Sequence, residues 1–409
     1  MKIQRNYIIY LLCLFPFLQM PRLSYFSDIN MMFFVAKALV GMYIFTKIIK
    51  SVLLKRKLSN VSIAFVLYEI ILIFSTVVNK GEVFSSISNA MSILVPIFLV
   101  EYYIDKLTIQ QLLKPINYIF FVYTIITMIQ LLPIPKNIFH SDIAGSPYCF
   151  DEYGYIFALG EPKRFIFFIL PMIASTILLG IKKKNNIKIK IKVWIVISIS
   201  FITVFWSWGV SAMLAVFTYS LVYLFINGRI INKIFKIVNI RVIYIIIIIM
   251  NILLLGGGIL NSLYLGKILS IFGKSSNLSG RTFIWTKIMT YIPQSPIIGF
   301  GVNSTVIKSR IWGFTHVHNL VLNLIYTGGF LLLAIFVFIN FESGKKLFKY
   351  RNFYQSKIIT MTIFIGLILS LTDTLDYNLF YIFYIIAFYI GEVKWEGEKE
   401  NENSCNHAY

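Results

Sequence analysis

Acidic side chains are scarce in this chain. Its 409 residues include 17 Asp and Glu against 38 Lys and Arg, and charged residues of both signs make up 13% of the whole. Soluble domains carry about 25%, so this composition argues against a water-exposed globule. Cysteine is nearly absent too: Cys13 falls in an apolar run, Cys149 in a polar segment and Cys405 in the tail. Residues so separated are expected to form neither a disulfide nor a cysteine metal site. No repeat of fixed period is visible, nor the pair of interrupted apolar segments in matching halves that marks many inverted-repeat transporters. Nothing resembles a separate soluble domain.

Apolar residues are what the chain has in abundance, at 58%. Membrane helices need about 20 consecutive apolar residues each. The runs predict spans near 6–20, 31–49, 61–79, 86–104, 115–133, 164–181, 193–208, 210–227, 240–260, 318–340, 358–372 and 379–392. The expected fold is therefore all-α, a polytopic membrane protein with about twelve transmembrane helices. Residues 1–393 form one membrane domain and 394–409 a polar cytoplasmic tail. The turn through Trp206, Ser207, Trp208 and Gly209 is the weakest point, because a re-entrant element there would invert all later topology.

Basic residues orient such a chain, since cytoplasmic loops are enriched in Lys and Arg. With the amino terminus inside, 26 of the 38 fall inside and 11 outside, with Lys37 in mid-span. Both termini are then cytoplasmic. Lys2 and Arg5 before an apolar stretch look like a signal sequence, but Gln19-Met20-Pro21-Arg22 offers no small-residue cleavage site, so an uncleaved anchor is expected. The net charge of +21 is accounted for by topology and anionic headgroups, without nucleic acid.

Two external loops exceed what a connection requires, about 134–163 and 261–317. The second holds Lys267, Lys274, Arg281, Lys287, Lys308 and Arg310 with no Asp or Glu. Within it Asn277 to Ile292 reads as an amphipathic helix on the outer surface, with Ile284, Ile288 and Ile292 on one face and Trp285 and Tyr291 at headgroup level. The loop ends in His316-Val317-His318-Asn319.

His318 opens the tenth span and is the candidate general base, with helix capping as the plainer alternative. His316 is the weaker candidate, and the pair lacks the ligands for a metal. Arg281 can clasp a phosphate through two parallel hydrogen bonds, or simply reach headgroups. Glu161-Pro162 opens the sixth span, Pro at a favoured first position; Glu161 either caps that helix or orients His318 or a sugar. Lys163 and Arg164 add positive charge beside it. Lys37 and Glu69 are the mid-span ionisable residues and are expected to pair, and Asp373 and Asp376 end the eleventh span.

Three patterns occur in order: Gly160-Glu161-Pro162; Ser279-Gly280-Arg281 with Trp285, then Ser295-Pro296-Ile297-Ile298-Gly299-Phe300-Gly301; and His318-Asn319-Leu320 with Gly328-Gly329. Over about 155–335 the chain resembles the O-antigen and capsule polymerases of the Wzy type, which share a core with the O-antigen ligases. The resemblance implies a fold like the C-type glycosyltransferases and polymerisation of undecaprenyl-diphosphate-linked oligosaccharide repeats on the outer face of the bacterial cytoplasmic membrane. It implies catalysis by His318, diphosphate binding by Arg281 and a supporting role for Glu161. Lys163, Arg164, Lys274, Arg310 and Asn319 become expected substrate contacts. No cofactor or metal is implied, and a flippase and a chain-length regulator are the implied protein partners. The chain departs from the family in having Ser207-Trp208 where members often carry Ser-Arg, so Arg164 and Arg310 are the candidates for a second phosphate-binding arginine. Lys163-Arg164 also stands where members tend to have small or aromatic residues after Glu-Pro. The alternatives are a ligase moving finished glycan and, in another class, an exporter of lipid-linked glycan. An exporter should place its cations among the helices rather than in one loop.

Overall fold

A computed structural model describes residues 2–54, 57–132, 157–181, 186–207, 209–226, 228–229, 232–233, 235, 240–255, 281–302, 317–374 and 378–393. These residues are helical almost throughout. Named in chain order, the helices are α1 (Lys2–Leu14), α2 (Ser27–Leu53), α3 (Asn60–Val78), α4 (Val83–Tyr103), α5 (Ile109–Leu131), α6 (Ile166–Leu179) and α7 (Ile187–Trp206). They continue as α8 (Val210–Phe225), α9 (Ile240–Leu255), α10 (Arg281–Tyr291), α11 (Leu320–Lys349), α12 (Tyr354–Leu369) and α13 (Ile382–Phe388). Each apolar run read from the sequence overlaps one of them, and α10 lies within the basic segment 261–317.

Six of the described helices are long and apolar enough to cross a bilayer: α2, α3, α4, α5, α7 and α11. Shorter apolar helices accompany them at Ile166–Leu179, Val210–Phe225, Tyr354–Leu369 and Leu379–Phe388. Met31, Met32, Leu39, Met42 and Phe45 of α2 are exposed, which suits hydrocarbon and would be a liability in water. At the doubtful turn, α7 stops at Trp206 and α8 begins at Val210. The Gly209 amide bonds the Val204 carbonyl at 3.1 Å, so the two helices form a tight hairpin.

Polar residues set where these helices start. Ser59 caps α3 by accepting from the Ser62 amide, Thr108 and Gln111 form a reciprocal capping box on α5, and Asn186 caps α7. The buried Glu101 of α4 accepts from the Ser59 amide (3.0 Å) and from the hydroxyls of Ser59 (2.9 Å), Ser62 (2.8 Å) and Tyr389 (2.6 Å). One carboxylate thereby ties together the start of α3, the end of α4 and the segment after α13.

Contacts between connections sort them to two ends of the bundle. At one end Val302 meets Thr76 and Glu82, and Leu320 meets Ser370. At the other, Glu101 meets Ser59 and Tyr389, and Lys357 meets Asn232.

The mid-span ionisable residues do not pair as expected. Lys37 donates to Gln19 at 3.4 Å, whereas both carboxyl oxygens of Glu69 are buried without a hydrogen-bond partner among the described residues. A lysine stem is long enough to carry its charge toward a polar end of its helix, and Gln19 provides one.

Helix α11 is broken at Gly329, whose φ of 69° and ψ of −172° are not helical. The break is laced by the segment after α10. Amides of Phe300 and Gly301 donate to the carbonyls of Tyr326 (2.7 Å) and Thr327 (2.8 Å), and amides of Phe330 and Leu331 donate to those of Pro296 (2.8 Å) and Ile297 (3.3 Å). The Ser75 hydroxyl adds a bond to Thr327 at 2.8 Å. Every one of these backbone groups would otherwise be orphaned in a low-dielectric interior, a cost membrane proteins avoid. A Cβ on Gly329 would collide with the Ile297 backbone, and one on Gly299 would approach the Gly328 and Gly329 nitrogens at 2.7 Å. The glycines in the two motifs are there because two backbones touch.

Candidate active site

The turn entering α11 is fixed from three sides. Trp285 of α10 is 1% exposed and donates its indole N–H to the Val317 carbonyl at 2.9 Å. Asn319 caps α11, accepting from the Leu322 amide at 2.9 Å, and donates to Asn251 of α9 (2.9 Å) and to the Leu371 carbonyl (3.0 Å). The Leu320 amide bonds the Ser370 carbonyl at 2.9 Å. Between these anchors His318 adopts φ 51°. A non-glycine residue in that left-handed region costs free energy and persists only where its surroundings enforce it, most often at functional sites.

Two sequence expectations change here. Helix α10 does not lie on the surface with Trp285 among headgroups. Ile284, Trp285 and Ile288 are buried against Val317, Leu322 and Tyr326, so protein rather than lipid covers the apolar face. Asn319 is fully buried with its side chain committed to the cap, Asn251 and Leu371. Its side chain holds the turn.

The clamped His318 presents Nδ1 to Oδ1 of Asp373 at 3.5 Å, and both side chains are accessible, at 21% and 18%. This is a close electrostatic contact, longer than an ordinary hydrogen bond. Oδ1 of Asp373 also accepts from the Thr374 amide at 2.9 Å. Burial alone would raise the Asp373 pKa. The neighbouring His318 ring, the Thr374 amide and the Arg281 charge outweigh it and hold the carboxyl below its ordinary value. Arg281, the first residue of α10, is half-buried. Burial lowers its pKa and the Asp373 charge opposes that effect, while a guanidinium stays protonated regardless. The carboxylate that faces His318 is Asp373, which sequence reading put only near the same cavity, while Glu161 lies in a separate cluster.

Residues 194–337 match the family model described as O-antigen ligase, Wzy_C. The matched segment supports a place for the chain in the O-antigen ligase-like superfamily. It spans most of α7 to within α11 and carries Arg281, Trp285 and His318, whereas Glu161 and Asp373 lie outside it. Comparison with curated proteins gives no match.

Glu161 and Arg164 belong to a second cluster. Residues 157–160 form a tight turn in which the amides and carbonyls of Phe157 and Gly160 bond reciprocally (3.0 and 2.8 Å), with Gly160 at φ 87°. Gln130 and Thr127 of α5 bind the amides of Ala158 (3.0 Å) and Leu159 (3.1 Å). Pro162 then starts the 3₁₀ turn Pro162–Arg164 that leads into α6. A cavity of about 250 Å³ opens here, with Gln19, Ser24, Lys37, Ser92, Glu161 and Arg164 in its wall. Leu379 lines it as well, six positions after Asp373, which places the cavity at the same end of the bundle as the His318–Asp373 pair. Lys274, Arg310, His316 and Asp376 lie outside the described residues, as does the side chain of Lys163.

The imidazole–carboxylate pair with a neighbouring guanidinium can perform acid–base chemistry on a hydroxyl beside a phosphate. The carboxylate favours the Nδ1–H tautomer, which leaves the Nε2 lone pair free to take a proton. Arg281 supplies fixed positive charge next to it.

Proposed function

We propose that this chain is a polytopic membrane glycosyltransferase that joins undecaprenyl-diphosphate-linked oligosaccharide repeats into a capsular or O-type polysaccharide. It acts on the outer face of the bacterial cytoplasmic membrane, with about twelve spans, both termini cytoplasmic, and the Arg281–His318–Asp373 end outside. The observation that carries the reading is the convergence of Arg281, His318 and Asp373 from three separate elements at one end of the bundle.

In this account Nε2 of His318 removes the proton from a hydroxyl of the acceptor repeat as its oxygen attacks the anomeric carbon of the donor. The bond from that carbon to the diphosphate oxygen breaks, and undecaprenyl diphosphate leaves with the electron pair. Arg281 neutralises charge growing on the leaving group, the electrostatic task that dominates such transition states. Asp373 holds the ring and stabilises the imidazolium that forms. The 250 Å³ cavity with Glu161, Arg164 and Lys37 is the place for the head group of the second lipid-linked repeat. The reaction needs no nucleotide, because the donor is already activated, and no metal where Arg281 provides the charge.

The family description favours a second reading, transfer of a finished glycan to a different acceptor. The two separate in a reaction given lipid-linked repeats alone. A polymerase yields a ladder of products differing by one repeat. A chain that makes no ladder until another acceptor is added is a ligase, and the polymerase reading is then wrong.

A further inference from the structure

His318 precedes the first turn of α11 and Arg351 follows its last, and α11 meets Ser75 of α3 at Thr327 and Asn60 of the same helix at Glu342, so it runs the length of the bundle. Arg351 therefore lies at the end of the bundle remote from His318. A cavity of about 320 Å³ opens there, lined by Asn232, Phe235, Arg351, Asn352 and Lys357. It adjoins a narrow apolar slot through the shared residues Phe235 and Arg351, with Ile243 of α9, Leu347 of α11 and Ile363 of α12 in the slot wall. Among the described residues, two cations and no carboxylate face the pair of cavities. Acids described at this end are engaged elsewhere: Glu342 accepts from Asn60, Glu392 from Lys346, and Glu101 from Ser59, Ser62 and Tyr389.

Arg351 is prearranged for a ligand. Its guanidinium stacks on the Phe348 ring at 4.4 Å and one terminal nitrogen donates to the Phe348 carbonyl at 3.1 Å, but Nε is buried with no hydrogen-bond partner. An unsatisfied buried donor on a cation is costly enough to demand an explanation. Lys357 is 8% exposed and turned toward Asn232. The chemistry required is an anion with several acceptor oxygens, and a phosphate matches the guanidinium fork.

Lipid is the source that the surroundings favour. Ile245, Ile248 and Ile249 of α9 and Val337, Phe338 and Phe341 of α11 are exposed apolar side chains on the helices that wall the slot. An anion tethered to hydrocarbon would bury its tail along these faces while its phosphate entered the basic mouth. We propose that this mouth is a binding site for an anionic glycerophospholipid of the leaflet opposite the catalytic end. The site is independent of the glycan chemistry.

The test uses the purified full chain, delipidated in detergent, with phosphatidylglycerol or phosphatidylcholine added at equal concentration and binding read by native mass spectrometry. Two cations around one phosphate predict a preference for phosphatidylglycerol of about tenfold or more. Arg351→Gln should abolish that preference, Arg351→Lys should retain part of it, and Lys349→Gln, an exposed cation at the same end, should leave it intact. Equal binding of the two lipids by the wild-type chain overturns the proposal, as does full preference in Arg351→Gln. Displacement of phosphatidylglycerol by millimolar inorganic phosphate also overturns it, since the site would then take a soluble anion. Should Arg351→Gln fail to fold, the wild-type comparison and Arg351→Lys decide alone.

Discussion

Asp373→Asn is the sharpest single perturbation of the site. The amide occupies nearly the volume of the carboxyl, and its oxygen can still accept from the Thr374 amide, as Oδ1 does now at 2.9 Å. That same Oδ1 faces Nδ1 of His318 at 3.5 Å, so the amide oxygen takes over both contacts and the substitution removes the negative charge beside the ring. The imidazolium that forms as Nε2 takes a proton would then lack its counter-charge, and proton removal would be slower. General base catalysis contributes typically about 10² to 10⁴ in rate. The expected loss in kcat is toward the low end of that range, about 3 kcal/mol at one decade per 1.36 kcal/mol. The assay is the initial rate of glycosidic bond formation by purified protein at saturating lipid-linked repeat. A fall in kcat with unchanged KM is the predicted signature of a residue acting through His318. A rise in KM alone would mean that Asp373 serves Arg281 and substrate binding. An undiminished kcat refutes the assignment of the pair.

Three further substitutions probe the supports of the site. Arg281→Lys keeps the charge and loses the two-pronged geometry, so polymerisation measured in membranes should fall by about 10² to 10³; normal polymer would remove Arg281 from the diphosphate. Trp285→Phe deletes the 2.9 Å bond to Val317, worth about 0.5–1.5 kcal/mol, and should lower kcat several-fold while the thermal midpoint drops only modestly. Gly329→Ala places a Cβ on the Ile297 backbone at φ 69°, a strain of about 1–3 kcal/mol or more, and should cut the yield of folded protein in membranes sharply.

Much of the architecture was legible because a bilayer imposes long apolar runs, and each run overlaps a helix. Arg281 and His318 were legible as a cation and an imidazole in one segment, and the structure brings both toward Asp373. Asp373 was not, because it lies fifty-five positions beyond His318 and meets it only when α11 and α12 pack as a hairpin. Trp285 was misplaced for a different reason. An amphipathic pattern shows that one face seeks an apolar cover, but not whether lipid or the start of α11 provides it. The pairing of Gly299 and Gly301 with the break at Gly329 has the same origin, since contact between two backbones leaves glycines in both segments and no signal of their register. Lys37 and Glu69 were matched only as the two charges in mid-span, and local partners such as Gln19 lie below the resolution of hydropathy.

The most direct test of the account is reconstitution of the purified chain with lipid-diphosphate repeats in excess EDTA and without nucleotide, counting undecaprenyl diphosphate released against glycosidic bonds formed. The account predicts one released per bond and a ladder of polymer, both lost in His318→Ala and Arg281→Ala while those variants remain in the membrane. Polymer that appears only when a divalent ion is restored, or an unchanged ladder from His318→Ala, contradicts it.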